Sequence, residues 1–318
     1  MISLNIFKVQ HKNFKLLFKI YYLLFFLIVS SVLMSLILTK SIYFKSTATL
    51  VDKGNIYTNN SHTIKLLEKK QEVAELKIEQ IKKTKIIPNI SFVKLPKDLK
   101  SIKSIQNRKE LFIKITLPLI VKENEKLILK NKKIKSLKTN FSKISRKDAI
   151  WLNNLMNEYN ATTIDSLLLK VDSIPESLAL AQAAIESGWG TSRFAFEGNA
   201  LFGQYIWGTS NDGIVPNERD NDKKYKIKTF DTLRESVESY MKNLNTNFHY
   251  NEFRINRFVI RTNKLPLSGV ELAEYLYNYS IESDYPSKII KIIETNNFED
   301  FENLTIDNQD FEIVSDII

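Results

Sequence analysis

Glu186 stands where a run of small and aliphatic residues gives way to Ser187-Gly188-Trp189-Gly190. The carbonyl end of a helix disfavours negative charge there, and burial disfavours it further, so both push a carboxyl pKa upward. A carboxylic acid that keeps its proton near neutral pH can act as a general acid. The ordinary alternative is a surface glutamate ahead of a C-capping glycine, and the residues alone leave the two readings level. Six of the eight glycines fall between Gly188 and Gly213. That clustering marks unusual backbone dihedrals or a close approach to something. Asp212, Glu218, Asp220 and Asp222 lie in or just after this region. Four acids in a polar loop are more often just a solvated loop.

The helix that must carry Glu186 runs from Ser177 to Ile185, with Pro175 near its first turn. Ala179, Ala181, Ala183 and Ala184 let it pack closely on several sides, which places it centrally. Beyond it, Phe202 to Phe230 is short, Gly-punctuated and partly alternating, the pattern of a small hairpin lobe. Thr232 with Glu235 forms a capping-box pattern opening a helix through Leu244. Leu233, Val237, Tyr240, Met241 and Leu244 make its apolar stripe. Further helices are expected at about Phe248 to Thr262, from Ser268 to Tyr279, and from Ser287 to Thr295. Upstream, Arg146 to Tyr159 reads as a helix with Ile150, Leu155 and Met156 inward. Arg108 to Leu137 reads as another, kinked or split at Pro118.

The string Glu186-Ser187-Gly188-Trp189-Gly190-Thr191-Ser192, followed by Glu197-Gly198-Asn199-Ala200-Leu201-Phe202-Gly203-Gln204, resembles the glucosaminidase branch of the lysozyme-like peptidoglycan hydrolases. Within that branch it is most similar to the Bax-type bacterial proteins. Gly213-Ile214-Val215-Pro216, Tyr225, Phe230, the run Ser236 to Thr246, Arg254, Arg257, Tyr279-Ser280 and Tyr285 follow in the same order. The resemblance covers roughly residues 92 to 296. Lytic transglycosylases share the Glu-Ser pair but typically continue into a Gly-Leu-Met-Gln-like element, where this chain has Leu201-Phe202-Gly203-Gln204.

The resemblance implies an α+β fold, mostly α: a lysozyme-like helical domain with a small β-hairpin lobe. It implies cleavage of the peptidoglycan glycan strand after N-acetylglucosamine, with Glu186 as general acid. The second group is a hairpin acid, best Glu218 or Asp220, or the substrate's own 2-acetamido group. Tyr279 and Tyr285 resemble the family's tyrosine element that faces the acid and orients the acetamido group, though each reads equally well as a helix-end aromatic contact. Trp189, Phe202, Tyr205 and Trp207 are candidates for stacking on sugar rings, although such clusters are at least as often core. Gln204 and Asn199 offer hydrogen bonds to hydroxyls, although Asn199 also suits a turn. A muramidase or lytic transglycosylase on the same scaffold, and a non-catalytic wall-binding module, are the alternatives.

Charge divides the 318-residue chain. Residues 1–150 carry 31 Lys+Arg against 10 Asp+Glu, a balance of +21. Residues 151–318 carry 15 against 26, a balance of −11. The half that holds Glu186 is therefore acidic, which argues against nucleic acid as its partner. No cysteine is present, and His11, His62 and His249 are widely separated, so metal chemistry and Ser-His catalysis have little support. No cofactor is implied.

Ile20 to Thr39 is an uncharged run of 20 residues, long enough at about 1.5 Å per residue to cross a bilayer core of about 30 Å. Tyr21, Tyr22 and Tyr43 lie near its ends. The segment Lys40-Ser41-Ile42-Tyr43-Phe44-Lys45 is a poor cleavage site, so an uncleaved anchor is favoured over a signal peptide. The expected organisation is a cytoplasmic stub and membrane anchor over 1–45 and a stalk over 46–90, in which Ile64 to Ile81 is helical in pattern. A hydrolase domain follows over 91–297, with its core at 146–297, and an acidic tail over 298–318. That arrangement puts the protein in the cytoplasmic membrane with its catalytic domain outside. The basic stretch Lys122 to Lys147 reads as a solvated helix face, or as a patch drawn to anionic lipid or wall polymer.

Overall fold

The computed structural model describes residues 77–207, 213–217, 225–307 and the backbone of 314–315, all within the unit Lys70–Ile318. The expected anchor Ile20–Thr39 and most of the expected stalk helix lie outside the described residues. Among the described residues, no helix is long and apolar enough to cross a membrane.

Among the described residues the domain is mostly helical, with three small sheets. In chain order it runs α1 (Ile78–Thr84), β1 (Ile86–Ile87), β2 (Ser91–Phe92), α2 (Ile105–Thr139), α3 (Arg146–Glu158), α4 (Ile164–Lys170), α5 (Glu176–Glu186) and α6 (Arg193–Gly198). Then come β3 (Tyr205–Trp207), β4 (Gly213–Ile214), β5 (Tyr225–Lys228), α7 (Leu233–Thr246), α8 (Asn251–Thr262), α9 (Gly269–Ala273), α10 (Tyr285–Thr295), β6 (Thr305–Ile306) and β7 (Val314–Ser315). The lobe expected between Phe202 and Phe230 is an antiparallel sheet in the order β3-β5-β4. Its register sets Tyr205 opposite Ile227 and Trp207 opposite Tyr225.

Helix α5 is the axis of the domain. Every residue from Glu176 to Ala184 is buried, and its alanines admit α2, α9, α10 and the turn Phe298–Phe301 at close range. Its N-terminus has no cap of its own, because Pro175 precedes it. Glu302 supplies one from the far end of the chain: its carboxyl accepts from the backbone N–H of Glu176 at 3.1 Å and of Ser177 at 3.3 Å. The Ser177 hydroxyl donates to the same carboxyl. Burial, together with the Glu176 carboxyl beside it, pushes the Glu302 carboxyl far up, to about 9.

Three boundaries differ from expectation. The stretch from 298 is not a free tail as far as residue 307: Phe298 and Phe301 are fully buried, and β6 pairs in parallel with β1. Apolar residues spaced among the acids, Phe298, Phe301 and Leu304, drive that packing. Residues 78–90, read as the end of a stalk, pack in the same layer through Ile81 and Ile87. Helix α2, placed ahead of the core, lies inside it. It runs on through Pro118, because Thr116 to Val121 are enclosed on every side and tertiary contact outweighs the lost hydrogen bond.

Two smaller expectations also change. On α3 the buried face is Leu152 and Leu155, while Ile150 is exposed. The helix opened by Ser268 stops at Ala273 and tightens into a 3-10 turn over Glu274–Leu276, short of Tyr279. The Thr232 cap forms as expected, accepting from Glu235 N–H at 3.2 Å. The Glu235 side chain reaches back to the Asp231 N–H rather than to Thr232.

Candidate active site

Glu186 is the last residue of α5, and the turn after it is left-handed three times over, at Gly188, Trp189 and Gly190. Ser187 ties that turn down, donating to the Ala183 carbonyl and accepting from Gly190 N–H at 2.8 Å. Only glycine fits at 190: a Cβ there would come within 2.8 Å of Leu99 and 3.0 Å of Phe112. The helix end is thus anchored, and the Glu186 side chain is thrown towards α10 and the chain leading into β3.

Tyr285, at the start of α10, donates its hydroxyl proton to Glu186 Oε1 at 2.8 Å. On the other side Gly203, at φ +59°, lies so close that a Cβ would stand 3.0 Å from Glu186 Oε2. Burial pushes the Glu186 carboxyl up to about 7. The Tyr285 hydrogen bond opposes that shift, and the negative charge of Glu282 adds to it. At neutral pH the group is therefore poised between acid and base.

A layer of buried aromatic and amide groups holds this arrangement. Tyr279 stacks on Tyr285 at 5.3 Å with the rings 9° apart, and its hydroxyl donates to the Phe202 carbonyl at 3.0 Å. Phe202 stacks flat on Tyr240 at 3.9 Å. Gln182, one helical turn before Glu186, donates from Nε2 to Tyr285 Oη at 3.1 Å and accepts from Tyr240 Oη at 2.7 Å. Reading the sequence for chemistry passed over Gln182, Tyr240 and Gly203. The available signal was an amide at i−4 from the acid inside an otherwise apolar helix.

The sequence-derived site residues separate into groups. Glu186 and Tyr285 are in contact, and Tyr279 braces Tyr285. Tyr205 and Trp207 are 60 % and 71 % exposed and meet Tyr225 edge-on at 4.8 Å and 5.8 Å. Strand register puts these three rings on one face. Burial raises the Tyr205 hydroxyl pKa, and the charges of Tyr225 and Glu186 add to it.

The other candidates for substrate contact make their contacts within the fold. Trp189 packs between Phe112 and Phe298, with Lys109 over its ring. Phe202 is buried against Tyr240. Asn199, left-handed at φ +50°, is buried and donates to the Phe230 and Asp231 carbonyls, pinning the end of α6 to the link between β5 and α7. Gln204 donates to the Ser239 carbonyl at 3.3 Å on the face of β3 opposite Tyr205. Apolar burial and backbone satisfaction decide these positions. Glu218 and Asp220, with Asp212 and Asp222, lie outside the described residues. Among the described residues, no group of three or more His, Asp or Glu side chains could hold a metal ion.

The glucosaminidase family model, described as mannosyl-glycoprotein endo-beta-N-acetylglucosaminidase, matches residues 163–298, a span that contains Glu186, the β-lobe, Tyr279 and Tyr285. Among solved structures, the catalytic domain of the autolysin Auto from Listeria monocytogenes is similar at a TM-score of 0.31 and 19% identity, over 53% of this chain and 96% of that one. Protein bax of Escherichia coli (strain K12) is 30% identical over 191 residues, covering 58% of this chain and 67% of that protein. The chain belongs to the Bax-type glucosaminidase-domain proteins.

Proposed function

We propose that this protein cleaves the glycan strand of peptidoglycan as an endo-β-N-acetylglucosaminidase, with Glu186 as its general acid. The observation that carries the reading is a carboxyl raised to about 7 at the end of a buried helix, held on Oε1 by the Tyr285 hydroxyl. In this reading Glu186 protonates the glycosidic oxygen as the bond to the departing sugar breaks. The positive charge that develops on the other sugar is met either by the substrate's 2-acetamido oxygen or by a hairpin carboxylate, Glu218 or Asp220. Glu186, now a carboxylate, then takes a proton from the water that completes hydrolysis. Tyr205, Trp207 and Tyr225 offer an exposed aromatic face on which sugar rings can stack. Ile20–Thr39 anchors the chain in the cytoplasmic membrane, with the domain outside beside its substrate. The basic stretch 122–147 adds attraction to anionic lipid or wall polymer.

The test is mass analysis of fragments released from purified peptidoglycan by the full chain in detergent. N-acetylglucosamine at the new reducing ends is the expected result. Muramic acid at the reducing ends would make the enzyme a muramidase, and anhydro-muramyl ends a lytic transglycosylase. No release at all would leave a wall-binding module.

A further inference from the structure

The two oxygens of Glu186 stand in different surroundings. Oε1 is turned to the buried Tyr285 hydroxyl. Oε2 faces the backbone at Gly203 and receives no hydrogen bond from a described side chain. A proton on Oε1 would be held in a hydrogen bond to Tyr285, whereas a proton on Oε2 is not so held.

What decides between them is the direction of the Tyr285 hydroxyl, and that direction is set two residues away. Tyr240, Gln182 and Tyr285 are all buried. The Tyr240 hydroxyl has no other hydrogen-bond partner among the described residues, so its proton goes to Gln182 Oε1. That turns Gln182 Nε2 towards Tyr285, which receives a proton and so points its own at Glu186. Turning the amide over would leave the Tyr240 O–H an unsatisfied donor in the core, which is unfavourable. The chain therefore has one preferred polarity, Tyr240 to Gln182 to Tyr285 to Glu186.

We infer that Gln182, held by Tyr240, is a positioning residue that fixes the direction of the Tyr285 hydroxyl and reserves Glu186 Oε2 for the proton given to the leaving group. This rests on the acid role proposed above for Glu186. The groups facing Glu186 are Tyr285 on α10, Glu282 ahead of it, Tyr279, Tyr205 on β3, Tyr240 on α7 and Tyr250. Glu282 is the charged one, and Lys288 pairs with it.

With the amide gone, Tyr285 is free to turn and accept a hydrogen bond from a protonated Oε1. The protonated acid is then favoured, but its proton sits on the wrong oxygen. Gln182→Met, close in shape, should lower kcat about 10- to 100-fold with KM within about twofold, and move the basic limb of the pH profile upward. Tyr240→Phe keeps the ring on Phe202 and frees the amide to turn; it should lower kcat about three- to tenfold with the same direction of shift. Because Gln182 acts through Tyr285, the double variant Gln182→Met/Tyr285→Phe should be no slower than Tyr285→Phe alone.

The measurements are kcat, KM and pH profiles of full-length variants on peptidoglycan, with melting curves alongside. If Gln182→Met does not fold, Tyr240→Phe decides by itself. Folded variants with wild-type kcat and limb, or losses that simply add in the double variant, overturn the inference while the acid role stands. A wild type that releases no product, or Glu186→Gln with its rate intact, overturns the acid role and this inference with it.

Discussion

Tyr285 Oη donates to Glu186 Oε1 at 2.8 Å although the two residues are 99 positions apart in the chain. The contact joins the end of α5 to the start of α10. It tunes the acid downward against the upward push of burial, leaving Glu186 at about 7. Tyr285→Phe removes the opposing contribution, so the Glu186 pKa rises. The basic limb of kcat/KM, where the acid loses its proton, should move to higher pH. A limb that stays in place or moves down in the pH profile would contradict this role.

Stability should carry the same signature. Glu186 has a folded pKa of about 7, above the ordinary glutamate value of about 4.3. Between those values the folded state holds the extra proton, so stability falls as pH rises through that window. Glu186→Gln should therefore be more stable than the wild type at pH 8, by about 1–3 kcal/mol, with the difference closing towards pH 4. Urea midpoints at the two pH values read it, and a mutant destabilised at pH 8 would count against the buried, raised acid.

The aromatic residues should divide by burial. Tyr205→Ala and Trp207→Ala remove exposed rings, so melting should change by less than about 0.5 kcal/mol while binding of chitooligosaccharide weakens about tenfold. Phe202→Ala opens a cavity in the core and should cost about 3–5 kcal/mol of stability, and Trp189→Ala, which strips a half-buried ring from between Phe112 and Phe298, should also lower the melting temperature. Calorimetric titration and thermal melts separate the two classes. An unchanged affinity on removing both Tyr205 and Trp207 would rule out the stacking face.

Ending the chain at residue 297 removes Phe298, Phe301 and the Glu302 carboxyl that caps α5. The expected result is loss of cooperative unfolding and of activity. Ending it at residue 307 keeps all three and should leave a folded domain. Circular dichroism melts of the two truncations test this, and a cooperative melt from the shorter chain would show that the C-terminal cap is dispensable.

The Glu186 helix, the β-lobe and the α7 cap were legible in the sequence because local pattern determines them. Small residues, glycines and a Thr-x-x-Glu spacing act within one element. The boundaries of the core were not. Residues 298–307 are acidic in composition, yet Phe298 and Phe301 are spaced to reach the groove beside α5, a contact visible only once distant elements meet. Trp189, Phe202 and Asn199 stand beside the acid in sequence and read equally well as substrate contacts or as core and turn residues; their rings and amide are engaged within the fold. Tyr285 became meaningful through the family's pattern. Gln182 lacked even that signal, because an amide in an alanine-rich helix shows its purpose only when Tyr240 and Tyr285 close on it.

The most direct measurement is the rate at which Glu186→Gln releases glycan fragments from peptidoglycan, read by mass analysis beside the wild type and with melting followed in parallel. The account predicts a folded protein that still binds wall material and cleaves it at least about 10²–10⁴-fold more slowly. Near-wild-type release from a folded Glu186→Gln protein would contradict it.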